Sequence, residues 1–363
     1  MFVVLGFVLS FFSLLEVARK DKFRTLNFYI FALVLTLMLC LRYGQGTDYY
    51  EYELQYVNID ISGSYFVNSL YHGEIGWYML MLLFKRLGAS FSLYLGIVSL
   101  FMMILVIKVI NRYSSYRIFS LLLLYPTFYL TYFYSAIRQG LVLVIFLSFG
   151  IDCLLSRKYF KYYIVVILMA LLHRSSLILI VLPFVLRYRD RKPGKFLMIS
   201  IFFATICGYS GVLNTIAERL GVRGYFNVSI SVMAILLRII LFYMISFMYK
   251  ATKVACEENK EIDILYFIYS FGFLFFVMFA FSSTLSQRLT VPLKCVEILL
   301  IPMLVERMSY CRENRCFSSS TPVFYIKLGD TKALLFVILI VVALNIELIK
   351  NINAYLGQGN YYD

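Results

Sequence analysis

Six cations stand in this chain where its apolar pattern gives them no reason to be. Arg42, Arg138, His173, Arg174, Arg223 and Arg288 lie at the ends of long hydrophobic stretches or in the links between them. A guanidinium stays charged at any physiological pH and grips phosphate oxygens through a planar fork of donors, so several converging arginines suit a pyrophosphate group. Arg138 is the best placed. In Ile137-Arg138-Gln139-Gly140 it opens an apolar stretch, where the free N–H groups and dipole of a helix N-terminus add to the attraction for an anion. Ser286-Gln287-Arg288-Leu289 repeats the Gln-Arg pairing at the start of a later stretch. Any single arginine of this kind also fits snorkelling to lipid headgroups, a reading that weakens for three together.

Two further groups suit proton transfer. His173, in Leu172-His173-Arg174-Ser175-Ser176, is one of only two histidines, and the other, His72, lies two residues before Glu74. A neutral imidazole accepts a proton from an attacking hydroxyl near pH 7, although a helix-capping or packing role is as consistent with the sequence. Asp48 belongs to Arg42-Tyr43-Gly44-Gln45-Gly46-Thr47-Asp48-Tyr49, where the glycines permit a tight turn that holds it near Arg42. It can act as a general base, orient a hydroxyl, or simply pair with Arg42. Tyr43, Tyr49, Tyr50, Tyr52 and Tyr56 around it can stack on sugar rings or sit as ordinary interfacial aromatics.

The elements that must position these groups are apolar helices. Of 363 residues 62% are hydrophobic and only 15% charged, more apolar surface than a soluble fold of this size buries, and the charges fall between the apolar stretches. The pattern predicts an all-α, polytopic integral membrane bundle of about twelve helices, near 2–18, 26–41, 91–110, 118–134, 139–155, 162–172, 175–186, 196–213, 230–249, 263–281, 289–305 and 333–350. Met1 to Leu15 has neither the basic start nor the small-residue cleavage site of a signal peptide and is taken as the first span. Arg157, Lys158 and Lys161 before the sixth and seventh spans, and Arg187, Arg189, Arg191, Lys192 and Lys195 after them, ask for the cytoplasm on both flanks and so for a hairpin at His173.

Strict alternation from a cytoplasmic Arg19–Arg24 link puts most of the 34 Lys and Arg residues inside and both termini outside. Ile75 to Leu83 is too short to span and is expected as an interfacial or re-entrant helix, with Trp77 and Tyr78 at headgroup depth, inside an outer loop of residues 42–90. The chain 1–363 then reads as one transmembrane domain. Arg238, Lys294 and Glu297 are the chief ionisable residues within spans.

Other functions lack their markers. The net charge of +14 lies in short loops as topology signals rather than on a nucleic-acid-binding face. Seven scattered cysteines, with only Cys311 and Cys316 close together, suggest neither a metal site nor a disulfide framework. There is no P-loop, G-x-G-x-x-G, H-E-x-x-H or G-x-S-x-G motif, and no metal or cofactor is expected.

Taken in order, Arg42-x-x-x-Gly46-Thr47-Asp48-Tyr49, Glu74-x-Gly76, Ile137-Arg138-Gln139-Gly140, Leu172-His173-x-Ser175-Ser176-Leu177 and Arg288 resemble the EpsG-type branch of the Wzy polysaccharide polymerases across residues 40–305. The resemblance implies a glycosyltransferase of the bacterial inner membrane, facing the periplasm, that joins undecaprenyl-pyrophosphate-linked oligosaccharide units. A chain-length regulator is an implied partner. It implies Arg138 and Arg288, helped by Arg42, as pyrophosphate ligands, and Asp48 and His173 as the groups that activate or orient the acceptor hydroxyl. Glu74, Gln139, Tyr49, Arg174 and Arg223 follow as secondary contacts. Arg174 departs from the apolar residue expected after the histidine and favours a neutral imidazole. A flippase of lipid-linked sugars, with charges along a path through the bilayer, and an acyltransferase acting on surface glycans are the competing classes.

Overall fold

A computed structural model of the chain describes residues 1–19, 24–61, 74–191, 230, 232–255, 259–280, 282–310 and 330–356. Among the described residues every regular element is helical. They are α1 (Phe2–Arg19), α2 (Arg24–Cys40), α3 (Tyr49–Val57), α4 (Ile75–Arg86), α5 (Phe91–Tyr113) and α6 (Arg117–Leu124), which runs on as a π-helix over Tyr125–Phe133. Then come α7 (Ile137–Ile145), which continues to Leu155 through a π segment at Phe146–Gly150, α8 (Tyr159–Leu172), a 3-10 segment (Arg174–Val181) and α9 (Leu182–Arg191). The described residues continue with α10 (Val232–Ala255), α11 (Lys260–Met278), α12 (Ser283–Lys294), α13 (Glu297–Tyr310) and α14 (Asp330–Leu356).

Five stretches are long and apolar enough to cross a membrane: Phe91–Tyr113, Ile137–Leu155, Val232–Lys253, Lys260–Met278 and Ala333–Ile352. Phe2–Ala18, Thr25–Cys40 and Tyr159–Leu172 are shorter apolar helices. The difference from about twelve spans has local causes. α6 changes to a π-helix at Tyr125–Pro126, where proline lacks an N–H for the ladder, α8 with the segments after His173 forms two short runs, and the expected 289–305 span is broken at Cys295–Val296. The expected span 196–213 lies outside the described residues, as do His72, Arg223, Cys311 and Cys316.

Helix starts follow the capping rules where they can be read. Ser90 Oγ accepts from Leu93 N at 3.2 Å to open α5, and Asn259 Oδ1 accepts from Glu261 N and Ile262 N to open α11. At about 1.5 Å per residue α5 is long enough to cross a bilayer core.

Side-chain bonds fix the antiparallel order. Glu16 near the end of α1 accepts from Phe119 N at 3.0 Å, at the start of α6, and Arg112 and Tyr113 at the end of α5 both reach Asp152 near the end of α7. At the other end of the bundle, Tyr134 OH donates to Met38 O at 2.7 Å. Tyr162 OH donates to Leu179 O at 2.8 Å, so the chain reverses between them. That reversal is the expected hairpin at His173. Arg238 of α10 and Lys294 of α12 lie 3.7 and 3.6 Å from the carboxylate of Glu297, the first residue of α13, and this buried group braces the α12–α13 break.

Trp77 and Tyr78, expected at headgroup depth, are fully buried within the protein. Trp77 packs 5.5 Å from the Tyr52 ring and 5.7 Å from Tyr94, so α4 is clamped between α3 and α5 instead of lying loose on a surface. Against α8 the approach is closer still: a Cβ at Gly76 would stand 2.9 Å from the backbone carbonyl of Leu171. Gly76→Ala must push these helices apart. It is expected to cost about 1–3 kcal/mol, read as a lowered thermal midpoint of the purified protein, with activity falling alongside because the helix start it displaces carries Glu74.

Candidate functional site

The first cation to place is Arg42. It follows α2, is 6% exposed, and its Nη1 donates to the carbonyls of Phe133 and Tyr134, the latter at 2.8 Å. These carbonyls belong to the end of the π-helix after α6, where the helical ladder stops and acceptors are left over. The guanidinium carbon also lies 5.3 Å from the centre of the Tyr134 ring. Burial draws the Arg42 guanidinium down to about 10, with nearby tyrosines opposing the fall, so it remains charged at neutral pH. Arg42 thus ties α2 to α6.

The expected pairing of Asp48 with Arg42 does not form. Two carbonyls take the guanidinium, and the loop beyond it runs elsewhere. Gly44 and Gly46 have φ of +63° and +105°, and a Cβ on Gly46 would collide with the Tyr134 carbonyl. That close passage lets Thr47 N donate to Ser135 Oγ at 3.1 Å and delivers Asp48 to the N-cap position of α3. There Asp48 accepts from Thr47 Oγ1 at 2.9 Å and lies 3.5 Å from Tyr52 OH. Tyr49 is 2% exposed and packs on Tyr43, Tyr50 and Phe91, leaving Tyr43 and Tyr50 as the exposed rings of this loop.

The convergence point is Glu74. It precedes α4, its side chain is 8% exposed, and its two oxygens serve three donors from two other segments. Oε2 accepts from Arg138 Nη1 at 2.7 Å; Oε1 meets His173 Nδ1 at 2.6 Å and accepts from Arg174 N at 3.2 Å. Burial pushes the Glu74 carboxyl up, but the hydrogen bond and charge of His173, then Arg138 and the Arg174 N–H, outweigh it and hold the group below its usual value. An ionised carboxylate only accepts, so Nδ1 carries a proton toward Glu74, and in the neutral form of the ring the lone pair lies at Nε2. Nε2 is buried and without a hydrogen-bond partner among the described residues.

Arg138 is the second residue of α7, at the helix N-terminus the sequence assigns it. Its Nε donates to Tyr52 OH at 3.3 Å and its guanidinium carbon lies 5.3 Å from the Tyr52 ring centre. Burial, opposed by the Arg138 charge and aided by Asp48, pushes the Tyr52 phenol up to about 12, so it stays protonated and links Arg138 to Asp48. One chain of contacts therefore runs Asp48–Tyr52–Arg138–Glu74–His173.

Of the expected site residues, the structure brings together Asp48, Glu74, Arg138, His173 and the backbone of Arg174. The Arg174 side chain is exposed, and Gln139 is half-buried beside Arg138. Arg288 is exposed one turn inside α12, which packs on α7 and on the 3-10 segment after His173; it does not open that helix as expected. Sequence reasoning took Tyr52 only as a sugar-stacking or interfacial ring, missing its bond to Arg138, and missed Ser135. Tyr52 had a readable signal, since position i+4 on a helix puts it on the face of Asp48.

A model described as the EpsG family matches residues 25–331 of the chain. No curated protein and no solved structure gives a match.

Two outcomes follow from this geometry. Arg42→Ala strips donors from two buried carbonyls and is expected to destabilise the protein by about 2–4 kcal/mol, seen as early thermal unfolding in detergent. Because the folded Glu74 carboxyl is depressed, its stabilisation is complete above the usual value of 4.5 and is lost as pH falls through the lower folded value. The thermal midpoints of wild type and Glu74→Gln should therefore differ at pH 7 and converge below about pH 4; a constant gap across that range contradicts the assignment.

Proposed function

The chain belongs to the EpsG family of Wzy-like polysaccharide polymerases, and from that premise we propose that it polymerises undecaprenyl-pyrophosphate-linked oligosaccharide units on the outer side of the bacterial inner membrane. The observation that carries the reading is the shared carboxylate. A helix-N-terminal arginine suited to a phosphate and a histidine suited to a hydroxyl stand on the two oxygens of Glu74. Donor and acceptor chemistry are thereby adjacent.

In this reading Arg138 holds the donor pyrophosphate, aided by the N-terminal N–H groups of α7 and by Arg288 from α12. An acceptor sugar hydroxyl attacks the anomeric carbon of the donor glycan. The new bond is the glycosidic C–O bond, the bond that breaks joins the anomeric carbon to the pyrophosphate oxygen, and the electron pair leaves with undecaprenyl pyrophosphate. The hydroxyl proton passes to His173 Nε2, with the Glu74 carboxylate fixing the ring and offsetting the charge it gains. Asp48, half-buried beside Tyr52, orients the acceptor. Attack opposite the leaving group inverts the anomeric centre, and the arginines stabilise its developing negative charge.

Arg42 enters this scheme as the clamp that sets the loop carrying Asp48. A twelve-span topology with residues 42–90 outside, the interfacial setting of α4 and one transmembrane domain remain part of the proposal; the basic-loop distribution supports them. The Arg238–Glu297–Lys294 group is one enclosed cluster of mutual contacts, which distinguishes it from the charge-lined path of a flippase.

The test is a gene deletion in the native host with surface polysaccharide resolved on a gel. The long ladder should vanish while a single repeat unit is still displayed. Loss of that single unit too would place the protein at a flipping or assembly step. Complementation with Arg138→Ala should leave the ladder absent, and Arg138→Lys should restore it weakly at best, since an ammonium lacks the fork; an intact ladder with Ala removes Arg138 from the pyrophosphate role.

A further inference from the structure

The contact that most needs explaining is the one that occupies Arg138. A guanidinium meant for a phosphate is engaged by a carboxylate of its own chain, through Nη1 at 2.7 Å, with Tyr52 OH on Nε at 3.3 Å. Its remaining amino group, Nη2, has no hydrogen-bond partner among the described residues. Glu74 presents one oxygen to that arginine and reserves the other for His173 and the Arg174 N–H. Losing the arginine therefore leaves two of its three bonds intact.

Resting on the polymerase reading of this site, we propose that Glu74 is a surrogate anion: it occupies Arg138 in the unloaded site, yields the guanidinium to the donor's phosphate, and is then left to His173 and the Arg174 N–H. Three features favour the exchange. Arg138 keeps 22% of its side chain exposed while Glu74 keeps 8%, so an incoming phosphate reaches the arginine and not the carboxylate behind it. A phosphate offers the fork two oxygens and more charge than a carboxylate that presents only one. And Glu74 is held on the histidine side by the strand-like backbone at His173 and the N–H that follows, which do not depend on Arg138.

The consequence is order. Before the donor arrives, the carboxylate is divided between the arginine and the histidine, and the guanidinium's Nη1 is already taken. Once the donor is bound, the negative charge of Glu74 faces the imidazole without the compensating guanidinium, which is when a proton acceptor is wanted. Glu74 is thus a positioning residue that couples the donor side of the site to the acceptor side.

The deciding measurement is the binding of inorganic pyrophosphate to the full-length protein in lipid nanodiscs, followed by calorimetry, beside turnover of a synthetic polyprenyl-pyrophosphate-linked repeat unit. Glu74→Gln removes the competing charge and should bind pyrophosphate about fivefold more tightly, the net scale of one intramolecular hydrogen bond. Its kcat should nevertheless fall about a hundredfold, with KM unchanged or lower, because the amide no longer orients the imidazole. Glu74→Asp keeps the charge and should bind pyrophosphate no more tightly than wild type. A merely structural glutamate predicts weaker binding and lower turnover together in Glu74→Gln. That result, or equal affinity for pyrophosphate, overturns the surrogate role, as does tighter binding in Glu74→Asp. If Glu74→Gln is not recovered as a monodisperse species, Glu74→Ser gives the same comparison. Should wild type turn over no lipid-linked unit while pyrophosphate binding still tightens in Glu74→Gln, the polymerase reading falls and the exchange at Arg138 stands.

Discussion

Everything around the candidate site is arranged so that one carboxylate can stand within hydrogen-bonding distance of both Arg138 and His173. Glu74 is separated from them by 64 and 99 residues, and only packing brings the three together. The closest constraint is the approach of α4 to α8 across Gly76, where any side chain would strike the Leu171 backbone two residues before the histidine. A second is the extended conformation of His173 between α8 and the 3-10 segment, which turns the ring and the Arg174 N–H to the same side. A third is the wall of Trp77, Tyr52 and Tyr94 behind α4, which fixes its depth. A buried carboxylate costs several kcal/mol unless its oxygens are satisfied; with three donors Glu74 becomes more acidic in place of being neutralised.

Arg42 shows how the same residue type serves a different end in the same neighbourhood. Its donor faces two carbonyls that a π-helix leaves over, and its burial excludes the solvent through which an anion would come. What it secures is the crossing of the Gly44–Gly46 loop over Tyr134 and Ser135, and with it the start of α3. Tyr52 on that helix then reaches Arg138, so the loop bearing Asp48 is joined to the helix bearing the arginine.

How far this was legible in the sequence depends on the range of the interaction. Local signals held: apolar runs gave helices, the Arg138 motif gave a helix N-terminus, and basic flanks gave a reversal at His173 that the Tyr162–Leu179 bond realises. Gly44 and Gly46 announced a turn, and their positive φ values are what such residues are for. Pairings between segments were not legible. Asp48 and Arg42 are six residues apart, and proximity in sequence suggested a pair, but the free carbonyls of a distant π-helix outcompeted the carboxylate. Glu74 was visible as part of Glu74-x-Gly76, yet nothing in one chain's pattern says that the glycine exists to bring that glutamate against a backbone nearly a hundred residues later. The expected 118–134 run is matched by α6 and its π-helix together, whereas the expected 289–305 span failed at Cys295–Val296, because hydropathy records how apolar a segment is and not whether its ladder is continuous.

The fold contains a second carboxylate shared by two basic side chains, and the comparison separates holding from exchanging. At Glu297 the partners Arg238 and Lys294 keep 10% and 15% of their side chains exposed, and Glu297 keeps 7%. All three are enclosed, at a helix break where an unpaired charge would be costly, and a closed group of this kind has no route by which another anion could enter. At Glu74 the carboxylate is equally enclosed, but Arg138 opens to 22%. Were the arginine buried like its counterpart, the pair would be too well shielded to open; were the carboxylate exposed like a surface residue, water and salt would screen it and it could not hold the histidine. The asymmetry, with the anion sealed and the cation reachable, is what permits one partner to be exchanged while the other is kept.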